Sequence, residues 1–142
     1  MSFGWSVGDL VGAVQLLRKV VIALKDAGGA SDEYGEEVAF LQSLAVTLRH
    51  LDTLQFSPVD RDVLLNLQEH CMQVRDPVLL FLRDIQYRFQ GSLGRKTSWT
   101  NAVTASRKVQ WALSVSKRVK GLRRRISSSI DAIQLCLSHQ TL

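Results

Sequence analysis

The stretch 115–137 reads VSKRVKGLRRRISSSIDAIQLCL and shows the clearest helical pattern in the chain. Its apolar residues recur three or four positions apart, which places them on one face of an α-helix. They are Val115, Val119, Leu122, Ile126, Ile130, Ile133 and Leu137. Charged and hydroxyl residues fill the positions between them. The pattern therefore predicts an amphipathic helix whose apolar face packs against a core.

Helical apolar spacing also occurs in three earlier stretches, at about residues 7–27, 31–51 and 57–85. Ser6 is a favourable N-cap for the first of them because its hydroxyl can accept a bond from a free backbone N–H group. The third stretch keeps the phase of its apolar residues across Pro77, so we expect a kink there rather than a helix end.

A further helix is expected at about residues 99–113, after a loop at 91–98. No stretch shows the alternation that is typical of a β-strand. We therefore predict the all-α class, with residues 1–142 forming a single bundle of about five helices. The core of this bundle should contain Leu17, Leu41, Leu48, Leu67, Phe81, Leu122 and Ile126.

The overall composition is that of a globular protein, with 46% hydrophobic and 22% charged residues. Cys71 and Cys136 lie far apart in apolar stretches and show no metal-binding spacing. We expect two buried free thiols in a reducing compartment, and hence a cytoplasmic protein.

Charge is divided unevenly along the chain. Residues 1–84 contain seven Lys/Arg and twelve Asp/Glu, whereas residues 85–142 contain eleven Lys/Arg and only Asp131. The densest basic cluster comprises Lys117, Arg118, Lys120, Arg123, Arg124 and Arg125. It could be a solvated face lying against the acidic second helix, or it could bind an anionic membrane surface. Nucleic acid is the weakest alternative because no aromatic residues are interleaved with the cations.

No catalytic or cofactor site is evident in the sequence. Residues 91–97 resemble a phosphate-binding loop, but Arg95 separates the glycine from Lys96 and a helix precedes the loop instead of a strand. The three histidines have no zinc-ligand spacing, and no nucleophile and base can be paired. We expect neither an enzyme nor a bound metal, cofactor or small-molecule substrate.

Glycines recur at every fourth position in the N-terminal segment that leads into the first predicted helix, at Gly4, Gly8 and Gly12. Such a stripe allows close helix approach in a membrane or an oligomer, or close packing inside a soluble bundle. Arg18 and Lys19 would cost about 5 to 7 kcal/mol at the centre of a bilayer, whereas the helix's Leu, Ile and Val residues return about 3 to 6. Insertion would therefore require oligomerisation that shields these charges.

Two separated motifs carry a resemblance to a known family. The segment FGWSVGD at 3–9 and the segment KVQWAL at 108–113, with IQL at 133–135 in the expected order, resemble the HeLo-like N-terminal domain of fungal STAND proteins, which are NLR-like. The resemblance covers nearly the whole chain. The purely basic continuation at 114–118 departs from the family, in which acidic residues often occur among the lysines.

The resemblance implies a helical bundle that precedes a NACHT ATPase, ankyrin repeats or another sensor domain in a larger protein. It also implies a role in incompatibility or regulated cell death, in which the N-terminal helix acts on a membrane. By that resemblance, Gly4 to Leu24 would be the segment that acts on the membrane. The candidate membrane or oligomerisation residues within it are Gly4, Gly8, Gly12, Leu10, Val14 and Leu17. The expected partners are an anionic membrane surface, further copies of the chain or other domains of the same protein, with recruitment to the plasma membrane on activation. The alternative is a homotypic interaction or oligomerisation module without membrane activity.

Overall fold

Four α-helices make up the described part of the chain. The computed structural model describes residues 5–28, 33–54, 61–88 and 102–140. The helices are α1 (Val7–Gly28), α2 (Gly35–Leu54), α3 (Arg61–Arg88) and α4 (Ala102–Gln140). Since these residues include no strand, the predicted all-α class is confirmed for them.

The number of helices differs from the prediction. The two helices expected on either side of Ser114 form one continuous helix, α4, and the described residues contain four helices rather than about five. The reason lies in the sequence around Ser114, where no glycine or proline interrupts helical geometry and the buried face continues from Trp111 through Val115 to Val119. Residues 91–98, the predicted loop, lie outside the described residues.

The third predicted helix does extend past its proline. Pro77 lies inside α3, so the apolar stripe on both sides of it belongs to one element, as predicted. The kink itself stays a prediction. The start predicted at Ser57 falls outside the described residues, which begin this helix at Arg61.

The start of α1 is the predicted Ser6 cap. The backbone N–H of Asp9 donates to the Ser6 Oγ atom at 2.9 Å, and that of Leu10 donates to the Ser6 carbonyl oxygen at 3.1 Å. Asp9 also places a negative charge in the first turn, where it interacts favourably with the helix dipole. The cap therefore fixes where α1 begins.

The helices pack as two neighbouring pairs around one core. α1 lies along α2, α3 lies along α4, and further contacts join α1 to α3 and α4 and α2 to α4. All of the side chains predicted to be in the core are buried: Leu17, Leu41, Leu48, Leu67, Phe81, Leu122 and Ile126. Each such side chain stabilises the fold by about 1.5 to 3 kcal/mol relative to an exposed one.

Polar side chains join α4 to α3 and to α2. Ser129 Oγ donates to Gln73 Oε1 on α3 at 2.8 Å. Gln134 Nε2 donates to Ser43 Oγ at 3.1 Å and to Thr47 Oγ1 at 3.2 Å on α2. Because these bonds require matching positions on two helices, they favour one axial position of α4 between α2 and α3.

Candidate functional site

The basic residues of α4 point in different directions around the helix. Lys117, Lys120 and Arg124 follow one another at intervals of three and four residues, so they lie on one side of α4. We call these three residues the basic ridge. All three side chains are exposed, and so are Arg123 and Arg125, which flank the ridge.

Arg118 is the cation of the cluster that turns inward. It forms an ion pair with Asp84 of α3, and both side chains are about 30% exposed. The pair joins α3 to α4 at the edge of the core. Arg118, predicted as part of an anionic-surface site, therefore has an intramolecular partner instead.

Lys120 also has an acidic neighbour. Its Nζ atom lies 3.5 Å from Oε1 of the buried Glu37, while the lysine side chain remains 59% exposed. The same Glu37 oxygen accepts a hydrogen bond from Ser116 Oγ at 3.1 Å. The interpretation of the cluster as a face lying against the acidic second helix thus applies to Lys120, although most of this side chain remains in solvent.

Glu37 lies where a buried carboxylate can be tolerated. It belongs to the first turn of α2, where the helix dipole favours a negative charge. Ser116 and Lys120 supply a hydrogen bond and a positive charge from α4. Burial, and then the charges of Glu33 and Glu37, raises the pKa of the nearby Tyr34 phenol. Sequence reasoning missed the role of Glu37, since only the packing of α2 on α4 brings it to Ser116.

Four cations of the cluster have no acidic partner among the described residues: Lys117, Arg123, Arg124 and Arg125. Arg123 lines a groove between α2 and α4 together with Glu36 and Asp131. Arg125 lines the opposite groove, between α3 and α4. The outer side of α4 therefore presents an excess of positive charge to solvent.

Exposed apolar residues precede the basic ridge on the same side of α4. Val109 and Leu113 lie eight and four residues before Lys117, and their side chains are 49% and 48% exposed. Helical spacing places all three on one side. An exposed face that combines cations with aliphatic side chains is typical of helices that lie in a membrane interface.

The candidate residues of α1 are divided between the core and the surface. Leu10, Val14 and Leu17 are buried, whereas Gly8 is exposed and Gly12 is half-buried. Gly4 lies outside the described residues. A Cβ atom added at Gly12 would meet no neighbouring atom within 4 Å, and one at Gly8 would meet only Ser6 Oγ at 3.9 Å. Close packing inside the bundle therefore does not account for Gly8 and Gly12.

The described residues contain no metal site and no membrane-spanning helix. No group of three His, Cys, Asp or Glu side chains is placed to hold a metal ion within these ranges. None of the described helices combines the length and the apolar character that crossing a bilayer requires. Both cysteines are free thiols, as predicted, and Cys71 is buried. The expected burial of Cys136 is wrong, because this side chain packs at the edge of the core and is half-buried.

Comparisons with known proteins add no identification. No protein-family model, no curated protein and no solved structure matches this chain. The resemblance to the HeLo-like domain consequently stays a prediction. The residues of α1 and α4 described above carry the functional interpretation by themselves.

Proposed function

We propose that this domain is a signalling or effector module that attaches to anionic membrane surfaces through the basic ridge of α4. The proposal rests on the exposed cations on and beside that ridge. Four of them have no acidic partner among the described residues: Lys117, Arg123, Arg124 and Arg125. Val109 and Leu113 add aliphatic surface on the same side. This combination favours a lipid headgroup region over nucleic acid, because no exposed aromatic side chain on which a base could stack accompanies these cations among the described residues of α4.

The expected attachment is weak and reversible. Each Lys or Arg near an acidic bilayer contributes about 1 kcal/mol, so four unpaired cations supply about 4 kcal/mol. That free energy corresponds to a dissociation constant of about 1 mM. Several copies acting together on one surface would bind much more tightly. Such a module would be recruited from the cytoplasm to the plasma membrane on activation.

The N-terminal helix has a later role in this proposal. Leu10 and Leu17 contribute to the core, so α1 cannot expose its apolar face while the bundle is closed. Release of α1 by an activating signal, followed by oligomerisation, would allow the helix to act on the membrane. This sequence of events agrees with the resemblance to N-terminal effector domains of fungal NLR-like proteins in regulated cell death or incompatibility.

A homotypic interaction module is the second candidate. The outer side of α1 supports it, because Gly8 and Gly12 are open to an approaching helix and Ile22 is 67% exposed. In this case the partners are other copies of the chain or other domains of the same protein, and lipid has no role.

Liposome co-sedimentation separates the two candidates. The membrane proposal expects the protein to pellet with vesicles that contain acidic phospholipid and not with neutral vesicles. Added salt should release it, because exposed charges are screened over about 8 Å at physiological ionic strength. Equal recovery with neutral and acidic vesicles, or none with either when the acidic lipid exceeds about 1 mM, would exclude attachment by the basic ridge.

A further inference from the structure

The outer side of α3 carries apolar residues that the core does not use. Leu65, Met72, Leu80 and Tyr87 are 53%, 54%, 56% and 83% exposed. They follow one another at intervals of seven, eight and seven residues, and the 22 steps from Leu65 to Tyr87 make about six helical turns. The four side chains therefore lie along one side of α3. We call them the α3 stripe.

The α3 stripe and the charges within it are symmetric about Asp76. Leu65 and Tyr87 are each eleven residues from Asp76, and Met72 and Leu80 are each four residues from it. The exposed residues Glu69 and Arg83 are each seven residues away and have opposite charges. Helical spacing puts Glu69, Asp76 and Arg83 on the same side of α3 as the apolar residues.

We propose that a second copy of this chain docks on the α3 stripe, with the two α3 helices antiparallel about a twofold axis at Asp76. In that arrangement Leu65 faces the partner's Tyr87, and Met72 faces the partner's Leu80. Glu69 faces the partner's Arg83. An interface with twofold symmetry repeats each pair, so the dimer contains four apolar pairs and two ion pairs.

The symmetry of the sequence identifies the occupant as a second copy. An unrelated helix would have no reason to require equal spacings on both sides of Asp76 or opposite charges at equal distances from it. At the twofold axis, Asp76 faces the partner's Asp76, which brings two like charges together. Arg75 Nη1 lies 3.0 Å from Asp76 Oδ1 and supplies a positive charge beside the axis.

The expected dimer is weak. The stripe is about 33 Å long at 1.5 Å per residue, and a single pair of helices covers less than the roughly 800 Å² per partner of a standard interface. We therefore expect a concentration-dependent equilibrium with a dissociation constant between about 1 μM and 1 mM. This association is independent of the proposed membrane attachment, because the basic ridge lies on α4.

A charge swap tests the proposal by analytical ultracentrifugation of the chain over a concentration series. The single variants Glu69→Arg and Arg83→Glu each place like charges opposite each other twice per dimer, and each should raise the dimer dissociation constant about tenfold. The double variant should return it to the parent value. Within one chain the two residues are about 21 Å apart along α3, beyond the screening length of about 8 Å, so restoration must come from pairing between chains.

Two polar substitutions identify the interface independently of charge. Met72→Ser should weaken the dimer, whereas Ile22→Ser, at an exposed apolar residue on α1, should leave it unchanged. All of these side chains are exposed, so each variant should unfold at nearly the same midpoint temperature as the parent. The proposal is overturned if the chain remains monomeric to about 1 mM, or if the double variant dimerises no more tightly than the single variants. It is also overturned if Ile22→Ser weakens the dimer and Met72→Ser does not. No lipid is present in these measurements, so their failure does not affect the proposed membrane attachment.

Discussion

Trp5 donates its indole N–H to the main-chain carbonyl oxygen of Cys71 at 3.1 Å, across 66 residues of sequence. The bond is buried, and it attaches the segment that precedes α1 to the middle of α3. Trp5 itself is 1% exposed, so its ring also contributes to the core. The N-terminal helix is therefore held at its beginning by this anchor and along its length by apolar packing. Any action of α1 outside the bundle must first break both.

Replacement of Trp5 by Phe tests this anchor. The substitution removes the N–H donor and part of the ring, so it should lower the free energy of unfolding by about 1 to 3 kcal/mol. Urea denaturation measures the change. The control is Tyr87→Phe, which alters an aromatic side chain that is 83% exposed and should shift stability by less than about 0.5 kcal/mol. If Trp5→Phe were as stable as the parent, Trp5 would not anchor α1.

The buried apolar face of α1 and its exposed side should respond differently to truncation. Leu17 is 0% exposed and Ile22 is 67% exposed on the same helix. Leu17→Ala should lower the free energy of unfolding by about 2 to 5 kcal/mol, whereas Ile22→Ala should change it by less than about 0.5 kcal/mol. Chemical denaturation of both variants provides the comparison. Similar losses at the two positions would mean that α1 does not pack by the face described.

Glu37 should contribute through both its charge and its hydrogen bond. Glu37→Gln keeps an oxygen that can accept from Ser116, and it should cost about 0.5 to 1.5 kcal/mol of stability. Glu37→Ala also leaves Ser116 without this acceptor and should cost more, about 1 to 3 kcal/mol. The measurement is a comparison of the free energies of unfolding of the two variants. An alanine variant as stable as the glutamine variant would show that the bond to Ser116 is unimportant.

The thiol of Cys71 should make stability depend on pH in alkaline solution. Burial, with a smaller contribution from Cys136, raises the pKa of this thiol to about 12 in the folded chain. The unfolded thiol has a pKa of about 8.5, so above that pH the unfolded state binds fewer protons than the native state, and stability falls as pH rises. The contribution of the protonated Cys71 thiol to the free energy of unfolding is fully present below about pH 8.5, and it decreases as the pH rises from there to the pKa of the folded chain.

Comparison with Cys71→Ala isolates this effect, because the substitution keeps the carbonyl oxygen that accepts from Trp5. Between pH 8 and pH 10 the parent should lose about 2 kcal/mol more than the variant. Urea denaturation at the two pH values measures the difference. Parallel losses in the two proteins would contradict a raised pKa at Cys71.

Periodicity in the sequence was sufficient to predict the core and the helical class. Leu17, Leu48 and Leu122 are buried as predicted because a 3.6-residue repeat fixes which face of a helix is apolar, whatever its neighbours are. The Ser6 cap was predictable for a similar reason, since the hydroxyl and the N–H that it accepts from are three residues apart.

Interactions between helices could not be predicted in the same way. Arg118 and Asp84 are 34 residues apart, and only the axial position of α4 beside α3 brings them into an ion pair. The continuity of α4 through Ser114 was not predicted, because apolar spacing shows which face of a helix is buried but is weak evidence on whether two helical segments are continuous. At Gly12, sequence spacing suggested close contact, whereas the packed bundle leaves the glycine open.

A matched pair of double charge reversals distinguishes attachment by the basic ridge of α4 from attraction by net charge alone. Lys117→Glu with Arg124→Glu changes two exposed cations of the ridge that have no acidic partner among the described residues. Arg18→Glu with Lys19→Glu changes two exposed cations of α1. Each pair lowers the net charge by four, from +5 to +1.

Thermal unfolding first verifies that both variants are folded. Co-sedimentation with vesicles containing acidic phospholipid then measures the affinity of each variant for the membrane. The ridge variant should lose at least about 2 kcal/mol of binding free energy, roughly thirtyfold in affinity, because two contributing cations are removed and two repelled charges replace them. The α1 variant should retain most of its binding. Equal losses in the two variants would mean that net charge alone attracts the protein, and full binding by the ridge variant would show that the basic ridge does not attach the domain.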